Sequence, residues 1–258
     1  MGGLEDLFGG PPAAPAAPSG GGGGVQNKIT MPADRGEGMQ IRSAFAKENG
    51  RVVMQITIEN NTMGPLSGFA IQFNKNSFGL VPESPAAMGA CLPQQIAPGQ
   101  SGSGSFVLLT NGPLSDSKGS VQMAIKTNVK VLYFQDVADV LLFLTPDGRL
   151  DKNVFLQQWK DGGLPEHTQQ VSGLSPASEV VDQVCAKLEA SSVFFVARRQ
   201  TPDGADMAYF SVKTFNNHVL LAELGFRPGS GTCSIVIKSQ QPQYVPLLAT
   251  SIENLLKP

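Results

Sequence analysis

The sequence predicts an all-β sandwich of immunoglobulin-like size followed by an α+β domain. Three observations carry that reading. Over residues 37–143, apolar and polar residues alternate with a period of two in short runs separated by Gly, Pro and Asn, the pattern of half-buried antiparallel strands. From residue 144 the period changes, and runs at helical spacing open and close a further set of strands, as expected where helices pack on one face of an antiparallel sheet. Finally, the 258 residues suffice for two domains of about 100–200 residues each.

Residues 1–36 read as a tail. GGPPAAPAAPSGGGGG at 9–24 is low-complexity Gly/Pro/Ala, too poor in apolar surface to offset its ordering entropy. Ahead of it, LEDLF at 4–8 is an acidic-hydrophobic cluster, either a short docking motif or a remnant of a longer linker. Within 37–143, Val52, Met54, Ile56 and Ile58 point one way along one strand, and Asn60-Asn61 supplies a turn. In GFAIQFNKNSFG, Phe69, Ile71 and Phe73 face the core while Ala70, Gln72 and Asn74 face outward. Val121, Met123 and Ile125 alternate with outward Gln122, Ala124 and Lys126, and 105–110 and 129–134 are two more strands.

Past residue 144, Pro146-Asp147-Gly148 is a turn, and 151–161 is a short helix with Asp151 as N-cap. Phe155, Leu156 and Trp159, the only tryptophan of the chain, fall on one arc. Lys152 shares the azimuth of Trp159, so the arc is either a core edge with a snorkelling lysine or the rim of a binding site. A second helix is expected over 178–191, with Ser178 as N-cap and Val181, Val184, Cys185 and Leu188 inward. Strands follow at 193–199, 207–214, 219–226 and 233–238, and Leu247, Leu248, Ile252, Leu255 and Leu256 mark a final helix over 246–257.

The totals exclude several classes of function. A net charge of -2 offers no general field for nucleic acid. No apolar run reaches the roughly 18–20 residues of a membrane span, the N-terminus does not read as a secretory signal, and Asp6 stands where a myristoylation signal has Ser or Thr. Cys91, Cys185 and Cys233 are odd in number and far apart, which indicates a reducing compartment without disulfides or a cysteine metal site. Asn60-Asn61-Thr62 is a formal glycosylation sequon and, without a secretory signal, a coincidence. No HExxH, GxSxG, P-loop or EF-hand motif occurs. Cys233 with His218, or Glu166 with Glu223, are the arrangements a hydrolase would need, and neither has motif context.

Taken together and in order, GFAIQFNKNSFG (68–79), VQMAIKTNVKVLYF (121–134), DGRLDKNVFLQQWKD (147–161), VARRQ (196–200) and LLAELGF (220–226) resemble the C-terminal appendage, or ear, of beta-adaptins, the large beta subunits of tetrameric clathrin adaptor complexes. The resemblance spans 37–258. It implies a β-sandwich subdomain at 37–143, a platform subdomain at 144–258, and a tail at 1–36 that is the end of a hinge to the rest of an adaptor complex. It also implies a non-enzymatic module without cofactor or metal, on the cytosolic face of clathrin-coated pits and vesicles at the plasma membrane or trans-Golgi network. Such a module takes helical peptides bearing phenylalanines and an arginine from accessory proteins, and contributes to clathrin binding. The platform site then consists of Trp159, Lys160, Lys152, Arg199, Tyr209, Glu223 and Glu166, with Lys152 in place of a family arginine. A second site on the sandwich consists of Tyr133, Lys126, Gln122, Ala70, Gln72 and Asn74. The ear of a related coat subunit, of the alpha-adaptin or coatomer type, is the alternative; the FAIQFNKNSFG run favours beta.

Overall fold

The computed structural model describes residues 27–257 apart from 112, 113, 117, 176, 178 and 179. The cluster at 4–8 and Ser178 therefore lie outside the described residues. The described chain divides after Leu142 into two compact units, each with its own core.

The first unit is a β-sandwich. Its strands are β1 (Lys28–Met31), β2 (Met39–Glu48), β3 (Arg51–Asn60), β4 (Leu66–Ser67), β5 (Ala70–Asn76) and β6 (Leu80–Pro82), then, after the short helix α1 (Pro85–Ala90), β7 (Gln95–Ile96), β8 (Ser101–Thr110), β9 (Ser120–Lys126) and β10 (Val131–Val137). One sheet has the order β1-β2-β3-β8-β6, a second the order β10-β9-β5, and β4 pairs with β7. All pairings are antiparallel. The alternating residues meet as the period of two requires: Ile41, Met54, Ile56, Ile58, Met123 and Ile125 are all fully buried.

The sequence reading ends the tail too late, because β1 lies inside the stretch assigned to it. Four residues next to low-complexity sequence give no periodic signal, and what orders them is tertiary. Met31 is buried, and Lys28 Nζ reaches the buried carboxylate of Asp136 at 2.5 Å. That carboxylate also accepts from Ser43 Oγ at 2.7 Å and from the backbone N–H of Val137. A buried carboxylate is tolerated only with such partners. Asn60 of the formal sequon is buried too, its amide donating to the carbonyls of Gly64 and Ile96.

The second unit contains α2 (Lys152–Lys160), β11 (Glu166–Ser172), α3 (Val181–Glu189), β12 (Phe194–Gln200), β13 (Asp206–Lys213), β14 (Val219–Phe226), β15 (Thr232–Lys238) and α4 (Val245–Leu256). Its sheet is antiparallel with the order β11-β15-β14-β13-β12. Helices α3 and α4 pack on one face, against the row Ile235, Leu224 and Ala208, all fully buried. Strand β11 was missed in the sequence because EHTQQVS carries almost no apolar alternation. It is an edge strand whose inward Gln169 hydrogen-bonds Glu253 of α4 rather than packing on carbon. The expected helix over 178–191 begins at Val181, and Val180 at its N-cap position makes no side-chain cap bond. Among the described residues no helix is long and apolar enough to cross a membrane.

Candidate functional site

The opposite face of the second sheet carries the candidate site. Antiparallel register brings residues from five strands into rows. Thr168, Val236, Glu223, Tyr209 and Ala197 form one row, and Glu166, Lys238, Leu221 and Ser211 form the next. Arg199 and Met207 belong to a third row on the same face. Helix α2 lies against this face, its buried Phe155 sharing an apolar cluster with Tyr209, Leu221 and Ala197.

Local chemistry fixes where α2 starts. Asp151 caps it, accepting from the Asn153 N–H at 2.8 Å, which satisfies one orphan donor of the first turn. The approach to the helix is stitched to β13: the buried Ser211 hydroxyl donates to the Gly148 carbonyl at 3.0 Å and accepts from the Leu150 N–H at 2.9 Å. Gly148 is required there, since a Cβ would come within 2.7 Å of the Lys213 backbone nitrogen.

These constraints put Trp159 half-buried beside the sheet. Its indole stacks on Phe155 with centroids 5.6 Å apart at 12°, and meets Tyr209 edge-on at 5.8 Å and 81°. Phe155 and Tyr209 meet at 5.8 Å. Such contacts contribute beyond area burial, roughly 0.5–1.5 kcal/mol per pair. The Tyr209 hydroxyl accepts from Arg199 Nε at 2.9 Å and donates to Glu223. Burial, followed by the hydrogen bond to Glu223, pushes its pKa up to about 12. At neutral pH Tyr209 is therefore a neutral bridge between a cation and a carboxylate.

Of the residues named from the sequence, Trp159, Arg199, Tyr209, Glu223 and Glu166 all stand on or over this one face. Lys152 and Lys160 are the first and last residues of α2, the former half-buried and the latter exposed. The cation over the indole is Lys238, which the sequence reading did not include. Its Nζ is 4.6 Å from the Trp159 ring centroid, 3.5 Å from the Trp159 carbonyl oxygen and 3.2 Å from Glu166 Oε2. Strand alternation signals its direction, since Ser234, Val236 and Lys238 oppose the inward Cys233, Ile235 and Ile237. Its neighbours are set by strand order.

The outward residues of the sandwich also share one face. Tyr133, 71% exposed, pairs with Ala124, which pairs with Gln72. Lys126 lies between Val131 and Ala70, and Gln122 opposite Gln135. Ala70, Gln72, Asn74, Gln122 and Lys126 are exposed. Ala124, expected outward from the alternation, is buried between Tyr133 and Gln72, and Val131 and Val137, 46% and 53% exposed, extend an apolar edge along β10.

The Cys233/His218 hydrolase arrangement is not assembled. Cys233 pairs with Phe226, at the far end of β14 from His218, and burial pushes its thiol pKa up to about 12. The His218 ring packs against Tyr244 at 5.7 Å. Glu166 is paired with Lys238, and Glu223 is bonded to Tyr209. Among the described residues no group of three or more His, Cys, Asp and Glu could hold a metal ion.

Comparison with known proteins matches both units. Residues 27–143 match the family model described as "Adaptin C-terminal domain", and residues 145–256 match "Beta2-adaptin appendage, C-terminal sub-domain". The chain is 30% identical over 231 residues to "AP-1 complex subunit beta-1" of Rattus norvegicus and over 234 residues to that of Homo sapiens, in each case over 89% of this chain. It is 29% identical over 239 residues to "AP-1 complex subunit beta" of Dictyostelium discoideum, over 90% of this chain. The chain spans 24% of the length of each of these relatives.

Proposed function

Because the chain belongs to the beta-adaptin appendage family, we propose that it is a non-enzymatic recruitment module of a clathrin adaptor that captures short helical peptides on the face around Trp159. The observation that carries this is the aromatic cluster of Trp159, Phe155 and Tyr209 flanked by fixed charges of both signs, Arg199 and Glu223 on one side and Lys238 and Glu166 on the other. An amphipathic helix binds such a surface with phenylalanines against the rings. Its arginine meets a carboxylate on the face, Glu223 or Glu166. Arg199, Lys152 and Lys160 attract acidic residues that flank the helix. Cofactors and metals have no part in this.

The exposed sandwich face around Tyr133 is a second recognition surface, formed with Lys126, Gln122, Ala70, Gln72 and Asn74. Tyr133 is its anchor, an apolar ring with a polar tip. In this reading the partners are accessory proteins with Phe/Arg helices, clathrin, and the rest of an adaptor complex reached through a hinge. The place of action is the cytosolic face of clathrin-coated pits and vesicles. Single-site affinity is micromolar, about -8 kcal/mol or weaker, and many appendages in one coat supply avidity.

The test is titration of a labelled helical Phe/Arg peptide against wild type and Trp159→Ala. The variant should lose about 2 kcal/mol or more of binding, roughly thirtyfold, while remaining folded by circular dichroism. Equal affinity for both proteins would remove Trp159 from the site.

A further inference from the structure

The indole of Trp159 already has a cation of its own. The Lys238 ammonium lies over the ring, against the Glu166 carboxylate and within reach of the Trp159 carbonyl, with its side chain 18% exposed. These are three separate attractions: a π-face, a carboxylate, and a carbonyl in the last turn of α2 that has no partner further along the helix. Glu166 itself is 48% exposed, so a ligand can reach the carboxylate that Lys238 neutralises.

Resting on the reading of this face as a Phe/Arg peptide site, we propose that Lys238 is an internal latch, holding Glu166 and the Trp159 ring until a ligand guanidinium displaces it, and that this exchange makes the site select arginine over lysine. A guanidinium is planar, weakly hydrated and able to engage a carboxylate with two N–H groups while stacking on an aromatic face; an ammonium is a compact, strongly hydrated point charge. Arginine therefore gains more from the same partners than Lys238 gives up, whereas a ligand lysine exchanges like for like.

The displaced ammonium has somewhere to go. Lys238 also lines a cleft of about 280 Å³ together with Gln158, Asp161, Ser239 and Gln241. There the Asp161 carboxylate and the amide oxygens of the glutamines can accept its three donors. Lys238 ends β15 in register with Glu166 and Leu221, so its backbone stays fixed while its four-carbon stem swings from ring to cleft.

The experiment has a ligand-free arm and a ligand arm. Trp159 is the only tryptophan of the chain, so acrylamide quenching of its emission reports directly on this ring. Lys238→Ala should raise the quenching constant about twofold by uncovering a π-face. Unchanged quenching overturns the latch. In the ligand arm, Lys238→Met, which keeps an unbranched apolar stem, should tighten the arginine peptide about three- to tenfold by removing a competing cation. The same peptide with alanine for arginine should change less than about twofold, and the gain should disappear in Lys238→Met combined with Glu166→Gln. A gain shared by the alanine peptide, or no gain, overturns the latch. Wild-type binding that Trp159→Ala abolishes, with no gain in Lys238→Met, sinks the latch alone. Absence of binding by wild type and every variant sinks the peptide reading and the latch together.

Discussion

Tyr209 shows how much one side chain can hold in place. Its ring is 2% exposed and meets both Phe155 and Trp159 edge-on, and its hydroxyl joins Arg199 to Glu223. Replacing it by phenylalanine keeps the ring contacts and deletes the bridge. Tyr209→Phe should cost about 1 kcal/mol at neutral pH, read from urea unfolding. The alkaline limb supplies a sharper check. Burial and the bond to Glu223 raise the Tyr209 pKa from 10 to about 12, so the folded state holds the phenolic proton more tightly than the unfolded state. That contribution is complete below pH 10 and is lost as pH rises from 10 through 12. Wild type should lose more stability across that window than Tyr209→Phe; parallel curves would show that the proton is not held by the fold. Trp159 was open to two readings in the sequence, core or contact. The structure leaves it between them, packed on two rings and half-buried, because its helix lies at the edge of an apolar cluster rather than inside it.

Helix α2 has nine residues, too few to be stable by itself in water. Its cap at Asp151, its buried Phe155 and the Ser211 stitches to residues 148–150 therefore decide where it sits. Asp151→Ala should cost about 1 kcal/mol. It should also weaken peptide binding several-fold, because Trp159 and Lys160 travel with the helix, and the amides of the first turn should exchange faster with deuterium. Lost stability with unchanged affinity would mean that packing alone sets the helix position. This element was legible in the sequence from its turn, cap and arc. Strand β11 was not: a polar edge strand has no apolar rhythm to read, and only pairing with β15 reveals that Glu166 stands beside Lys238. The opening strand β1 escaped for a related reason, since its partners at Ser43 and Asp136 are remote in sequence.

At the scale of the molecule, the division after Leu142 separates the two candidate surfaces. Every residue of the Trp159 face lies after residue 150, so residues 143–258 expressed alone should melt cooperatively and bind the Phe/Arg peptide within about twofold of the whole chain, because a unit with its own core can fold alone. Tyr133→Ala in the whole chain should leave that binding unchanged. A tenfold loss in either case would show that the sandwich takes part in the site. The sequence by itself determined the two-part architecture, the inward faces of most strands, and the placing of Phe155 and Trp159 on one arc of a capped helix. All of these are local periodicities of two or 3.6 residues, written in neighbouring side chains. The sequence also pointed Lys238 away from the buried side of its strand. Only the tertiary structure decided what that lysine meets. The order β11-β15-β14-β13-β12 and the docking of α2 bring Lys238 to a tryptophan 79 residues away, and no local period encodes strand order.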